Sequence, residues 1–203
     1  MRDEQNIREV ALLRPQYMGF IFYDKSPRFV GHDFHIPDDF SRDTHRVGVF
    51  VNETTETILQ KVHAHHLDLV QLHGDESVEQ CRLLKQAGAR IMKVFSVGED
   101  MNFSITKPYQ AVVDFFLFDT KGKYFGGNAQ TFNWNLLTQY DQKIPFFLSG
   151  GLSPENIAEI KHLPPMNLHA IDINSGVEIK PALKDVHKIM TIRSILNIKN
   201  AIE

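Results

Sequence analysis

Short apolar runs and longer amphipathic stretches take turns along this chain. The runs cover residues 17–23 (YMGFIFY), 47–51 (VGVFV), 69–73 (LVQLH), 91–96 (IMKVFS), 113–118 (VDFFLF), 145–149 (PFFLS) and 169–173 (HAIDI). Each is apolar at most positions, which is the mark of a strand covered on both faces rather than on one. Between and around them, helical spacing appears over 3–13, 37–45, 55–66, 77–87, 99–107, 134–140, 154–162 and 184–198.

Buried strands alternating with helices predict a parallel sheet wrapped by helices, an α/β architecture. About 25 residues per unit suits a (β/α)8 TIM barrel, which needs roughly 200–250 residues. A doubly wound open sheet would carry a Gly-rich turn after its first strand, and the YMGFIFY run is followed by DKSPR instead. Seven strands against eight helices leave the first unit without its strand, since the chain opens directly on the helical stretch NIREVALL. A barrel one strand short has two edges with unpaired backbone groups. The expectation is an opened barrel whose native form extends upstream by one strand.

With 203 residues the chain is read as one domain, 1–203,. The 42% apolar content excludes disorder, and a formal charge of -3 gives no basic surface for nucleic acid,. The apolar runs are far shorter than the roughly 20 residues of a membrane span. A lone Cys81, in the middle of a helical stretch, offers no internal disulfide, and the first residues, MRDEQNIREV, lack an apolar signal core,. These features predict a cytoplasmic protein, with Cys81 as filler. His63, His65 and His66 stand near a helix end without a further ligand and read as solvated rather than metal-binding,.

In a barrel of this kind, chemistry sits at the C-terminal ends of the strands. That rule selects Arg28 in KSPR, Gln71, His73 and Gly74 after the third run, Asp119 and Thr120 after FFLF, SGGLSPEN (149–156) and DINSG (172–176). The two glycines Gly150 and Gly151, ahead of a helix expected to start at Ser153-Pro154, let backbone N–H groups approach a phosphate. Ser175 and Gly176 can do the same from the next loop. Asp119, at the end of an apolar strand, is placed to act as a general acid, or else to order its own loop through Thr120. Arg28 can grip a planar carboxylate with two parallel bonds. Gln71 and His73 share a strand face, so both enter the mouth or neither does. Asp114, toward the other end of its strand, is read as a stability residue. Lys93 would matter only to a Schiff-base aldolase, and no ligand set or partner accompanies it.

The blocks MGFIFYDKSPRFV, RVGVFVN, VQLHGDE, FLFDT with YFGG and TFNW, LSGGLSPENI, and IDINSGVE with KPALKD resemble phosphoribosylanthranilate isomerase over essentially the whole chain. The resemblance implies an Amadori rearrangement of a small phosphosugar in tryptophan biosynthesis, without metal or organic cofactor, by a monomer or homodimer. It implies Asp119 as the acid that opens the sugar ring and Arg28 as the partner of the anthranilate carboxylate. The phosphate falls to the backbone around Gly150, Gly151, Ser175 and Gly176, and His73, Gly127 and Asp172 join the substrate contacts. The family's general base is a Cys in a Lys-x-Cys-Gly motif on the first strand, ahead of a Met-Arg-Asp start like the one here. Slow turnover by the sequence as it stands is therefore expected, with His73 as a substitute base. The alternative is a barrel that binds the phosphosugar without transforming it. A stretch usually reading GGSGKTFDW is GGNAQTFNW here, and the usual Pro-Gly before Lys-Asp is Pro181-Ala182.

Overall fold

The computed structural model describes residues 1–120 and 132–197. Seven strands form one parallel sheet in strict chain order: β1 (Tyr17–Ile21), β2 (His45–Phe50), β3 (Leu69–Leu72), β4 (Ile91–Val97), β5 (Phe115–Thr120), β6 (Phe146–Leu148) and β7 (Leu168–Ile171). Four α-helices accompany them: α1 (Glu4–Ala11), α2 (Thr55–His65), α3 (Val78–Gln86) and α4 (Val186–Ile195). Each starts where a short polar side chain takes an orphan N–H: Asp3 from Asn6, Thr54 from Thr57, Ser77 from Gln80, and Asp185 from His187 and Lys188,. Their apolar sides (Ile7 and Val10, Ile58, Cys81 and Leu84, Ile189 and Ile192) are buried in the layer between sheet and helices.

The two-residue period of the strands sorts side chains into two cores. Val47, Leu69, Met92, Val94, Phe115, Leu117 and Phe147 fill the inside of the curled sheet, while Val70, Phe116, Phe118, Phe146 and Leu148 face the helices,. Continuing each inward series past the core brings Gln71 and His73, Asp119, Ser149 and Asp172 to one mouth. Lys93, next to Met92, falls on the opposite side.

The predicted α/β class and the seven parallel strands hold, and the sheet is a curled one with β1 and β7 at its edges. Neither edge pairs with another strand among the described residues. At the strand starts, the Tyr17 hydroxyl and His169 Nε2 lie 2.8 Å apart across this seam.

Three expectations fail locally. Residues 37–45 form turns instead of a helix: the Phe40 N–H bonds to the Pro37 carbonyl, Asp43 N–H to Ser41 Oγ and Thr44 Oγ1 to the Pro15 carbonyl. Short hydroxyl side chains capture the backbone there before a helix can propagate. The stretches 99–107, 134–140 and 154–162 become short 3-10 helices at Phe103–Tyr109, Trp134–Gln139 and Ile157–His162. The last begins beyond Ser153-Pro154, because Asn156 Oδ1 takes the Ser153 N–H and the Ser153 carbonyl takes the N–H of Asn156 and Ile157. Finally, the start of 184–198 belongs to an antiparallel hairpin, β8 (Glu178–Lys180) with β9 (Leu183–Lys184), which turns through Ala182 at φ 68°.

Candidate active site

The strand ends surround a cavity of about 530 Å³, within the usual range for a small-molecule site. Its wall includes Arg28, Gln71, His73, Asp119, Ser149, Gly150, Gly151, Asp172, Ser175 and Lys184. Nearly every strand-end residue selected from the sequence is therefore in one place. Gly127 lies outside the described residues.

Asp119 lies one residue before the end of β5 with only 5% of its surface exposed. One carboxylate oxygen accepts the Thr120 N–H at 2.9 Å, and the other stands 3.4 Å from His73 Nε2. His73 is in turn held through Nδ1 by Gln71 Nε2 at 3.0 Å, so both residues of the pair enter the mouth. The same Asp119 orders its loop and presents an oxygen to an imidazole. Asp172 completes the cluster, taking a hydrogen bond from Ser149 Oγ at 3.1 Å. Burial, reinforced by the negative charge of Asp119, pushes its carboxyl above the usual range,.

Gly150 and Gly151 turn the chain at φ of 94° and 65°, a region that favours glycine. Among the described residues no acceptor takes either N–H, which leaves two donors for an anion. A Cβ at Gly150 would come within 2.1 Å of Thr120 Oγ1, and one at Gly176 within 2.0 Å of the Leu152 carbonyl oxygen. Gly176 thus packs its loop against the preceding one, and Ser175 rather than Gly176 lines the cavity. With Ser153-Pro154 outside any helix, the expected contribution of a helix N-terminus to this anion site gives way to the loop N–H groups themselves.

Arg28 spends Nε and Nη2 on a bidentate pair with Glu178, at 2.7–3.0 Å. Lys184 Nζ reaches the same carboxylate at 3.0 Å. Burial raises the Glu178 carboxyl, but the Arg28 bond and the Lys184 charge outweigh it and leave it below the usual range. Neither Glu178 nor Lys184 was singled out from the sequence, although both stand in the recognisable blocks IDINSGVE and KPALKD. A charged residue immediately after a strand-end turn was the available signal.

The remaining candidates fall away from the cavity. Lys93 pairs with Glu76 at 3.1 Å on the helix side of the sheet, both fully buried, which removes it from any Schiff-base role. Cys81 is buried in α3, where burial pushes its thiol up to about 11. Asp114 accepts the Ile91 N–H at 2.7 Å and serves the sheet. His65 packs tilted against Phe22 at a 5.0 Å centroid distance.

Comparison with known proteins concerns the chain as a whole. The family model for N-(5'-phosphoribosyl)anthranilate (PRA) isomerase matches residues 1–194. The isomerase of Parabacteroides distasonis is 42% identical over 201 residues, covering 97% of this chain and 91% of the relative. That of Phocaeicola vulgatus is 43% identical over 199 residues, covering 98% and 96%. Among solved structures, the Thermotoga maritima enzyme superimposes with a TM-score of 0.83 at 31% identity, over 98% of this chain and 96% of that one. A phosphoribosyl anthranilate isomerase in complex with reduced 1-(o-carboxyphenylamino)-1-deoxyribulose 5-phosphate gives 0.80 at 28%, over 98% and 96%. The chain belongs to the N-(5'-phosphoribosyl)anthranilate isomerase family.

Proposed function

We infer that this protein is an isomerase of tryptophan biosynthesis which converts N-(5'-phosphoribosyl)anthranilate to 1-(2-carboxyphenylamino)-1-deoxyribulose 5-phosphate. The observation that carries this reading is the convergence of Arg28, His73, Asp119, Asp172 and the Gly150-Gly151 turn on one cavity. Arg28 receives the anthranilate carboxylate on the edge that Glu178 leaves open. The N–H groups of Gly150 and Gly151, with the Ser175–Gly176 turn, take the phosphate. Asp119 then donates its proton to the furanose ring oxygen, which opens the sugar. Asp172 stands in the same cluster, held by Ser149 Oγ, and His73 fixes the Asp119 carboxyl it faces. The reaction needs no metal or organic cofactor, and we place it in the cytoplasm, in a monomer or homodimer. Among the described residues no helix is long and apolar enough to cross a membrane.

Removal of the C2' proton belongs, by the family resemblance, to a Cys on a strand ahead of α1. The cavity reaches between β1 and β7, past Val10, Leu13, Ile189 and Ile192.

The test is conversion of the phosphoribosyl substrate by the protein and by Asp119→Asn, at matched substrate saturation. Loss of the acid lowers kcat about 10²–10⁴-fold with KM little changed. Equal rates would remove Asp119 from the mechanism. Tight binding of the reduced product analogue with no conversion by the unaltered protein would favour the phosphosugar-binding barrel instead.

A further inference from the structure

Glu178 and Lys184 form a buried charge pair whose bonds reach Arg28 and Asn174, both of which line the cavity. Their side chains are 5% and 9% exposed. From Glu178 one arm goes to Arg28, which it grips along Nε and Nη2, and a further bond fixes the Ala182 N–H at 2.9 Å. From Lys184 the other arm goes to Asn174, through its carbonyl at 3.1 Å and its side-chain oxygen. Asn174 directly precedes the Ser175–Gly176 turn, and that turn packs on the Leu152 carbonyl of the neighbouring loop. Lys184 is itself anchored by a reciprocal pair with Asn6 of α1, at 2.7 and 2.9 Å.

A carboxylate beside the arginine that must bind a carboxylate is costly unless something is gained. Simple neutralisation of Arg28 would need Glu178 alone, and Lys184 would then be a second buried cation without purpose. Together the three groups carry one net positive charge and no loose rotamer, which suits an anionic ligand that must be met by a guanidinium already aimed. We propose that Glu178 and Lys184 are positioning residues which set the Arg28 guanidinium and the Asn174–Gly176 turn from one point, so that the carboxylate and phosphate ends of the substrate are bound by a single rigid unit. The proposal rests on the reading of Arg28 and of the glycine loops given above.

The experiment measures the dissociation constants of anthranilate and of inorganic phosphate, separately, for the unaltered protein and for Arg28→Ala, Glu178→Gln, Lys184→Met and Lys184→Arg. Arg28→Ala weakens anthranilate and leaves phosphate within about twofold, because it removes a ligand group at one end only. Glu178→Gln and Lys184→Met weaken both probes by about fivefold or more, as expected for a shared coupling element, and Lys184→Arg restores phosphate binding. Should either variant fail to fold, Asn174→Ala decides the matter: it removes the side-chain bond of the Lys184 arm, leaving the one to the Asn174 carbonyl, and lowers phosphate affinity alone. Variants that melt earlier yet keep both affinities would overturn the proposal, as would a loss confined to one probe in Glu178→Gln. If the unaltered protein binds neither anion, the reading of the site falls, and the proposal with it. If it binds both and the variants do too, only the proposal falls.

Discussion

Replacing Lys93 by Met tests how the loop that carries His73 is held. Lys93 Nζ donates to Glu76 Oε2 at 3.1 Å and to the Gly74 carbonyl at 2.6 Å, while the Glu76 carboxylate accepts the N–H groups of Gly74 and Asn52. The pair therefore clamps Gly74 by both its N–H and its carbonyl, one residue from the imidazole. Methionine nearly fills the lysine stem, so little cavity forms and the loss is electrostatic. Glu76, at 2% exposure, keeps a charge with no cation beside it. Breaking a buried pair from one side costs about 3–5 kcal/mol, or roughly 6–20 °C in Tm for a chain of this length. Glu76→Gln in the same background removes the stranded charge and recovers about 1–3 kcal/mol. The assay is urea unfolding followed by the fluorescence of Trp134, the single tryptophan and a buried one. A cost below about 1 kcal/mol for Lys93→Met, or strict additivity in the double variant, would refute the argument.

Further expectations concern three other positions. Asp172→Asn stabilises the protein near neutral pH. The raised carboxyl of Asp172 favours folding fully below its unfolded value of 3.8, and that contribution is lost as pH rises through the higher folded value. A neutral amide suffers no such loss, so melting curves of variant and parent should diverge at about pH 7 and meet at about pH 3; a pH-independent offset would contradict this. Gly176→Ala forces a methyl onto the Leu152 carbonyl and should destabilise by about 1–3 kcal/mol, with phosphate affinity falling in titration. Unchanged binding and stability would mean the two loops can separate freely. Cys81 should resist a thiol reagent in the native state at about pH 8 and react on denaturation; rapid native labelling would show that α3 opens.

Much of the scaffold was legible because strand burial writes itself as contiguous apolar runs. Once Leu69, Phe115 and Phe147 are known to face inward, counting by two delivers His73, Asp119 and Ser149 to the mouth without further information. What the local pattern cannot carry is partnership across the chain. Arg28 and Glu178 are 150 residues apart, and nothing near Arg28 in sequence announces that its guanidinium is already occupied. The turns at 37–45 and the late start of the helix after Ser153 were missed for a different reason. Serine, aspartate and asparagine side chains can cap a helix or replace it, and which one happens depends on where the neighbouring strand pulls the backbone. The Lys93–Glu76 clamp was hidden because lysine in an apolar strand looks like an intrusion until its partner is seen.

The strict chain order of the seven strands has a kinetic consequence. Each strand finds its partner in the next one along, so the sheet can grow by short loop closures, none of which depends on a distant segment. The contacts of Asn6 with Lys184, 178 residues apart, and of Arg28 with Glu178 are of another kind. They reward the chain only after every intervening strand is in place. On a ribosome, the sheet would accrete as the polypeptide emerges, whereas the anion-gripping end of the pocket would come into being at the last step, when the final hairpin swings back to meet α1. Hydrogen exchange should echo that history, with the central strands β3–β5 opening last and the Arg28 end of the pocket first.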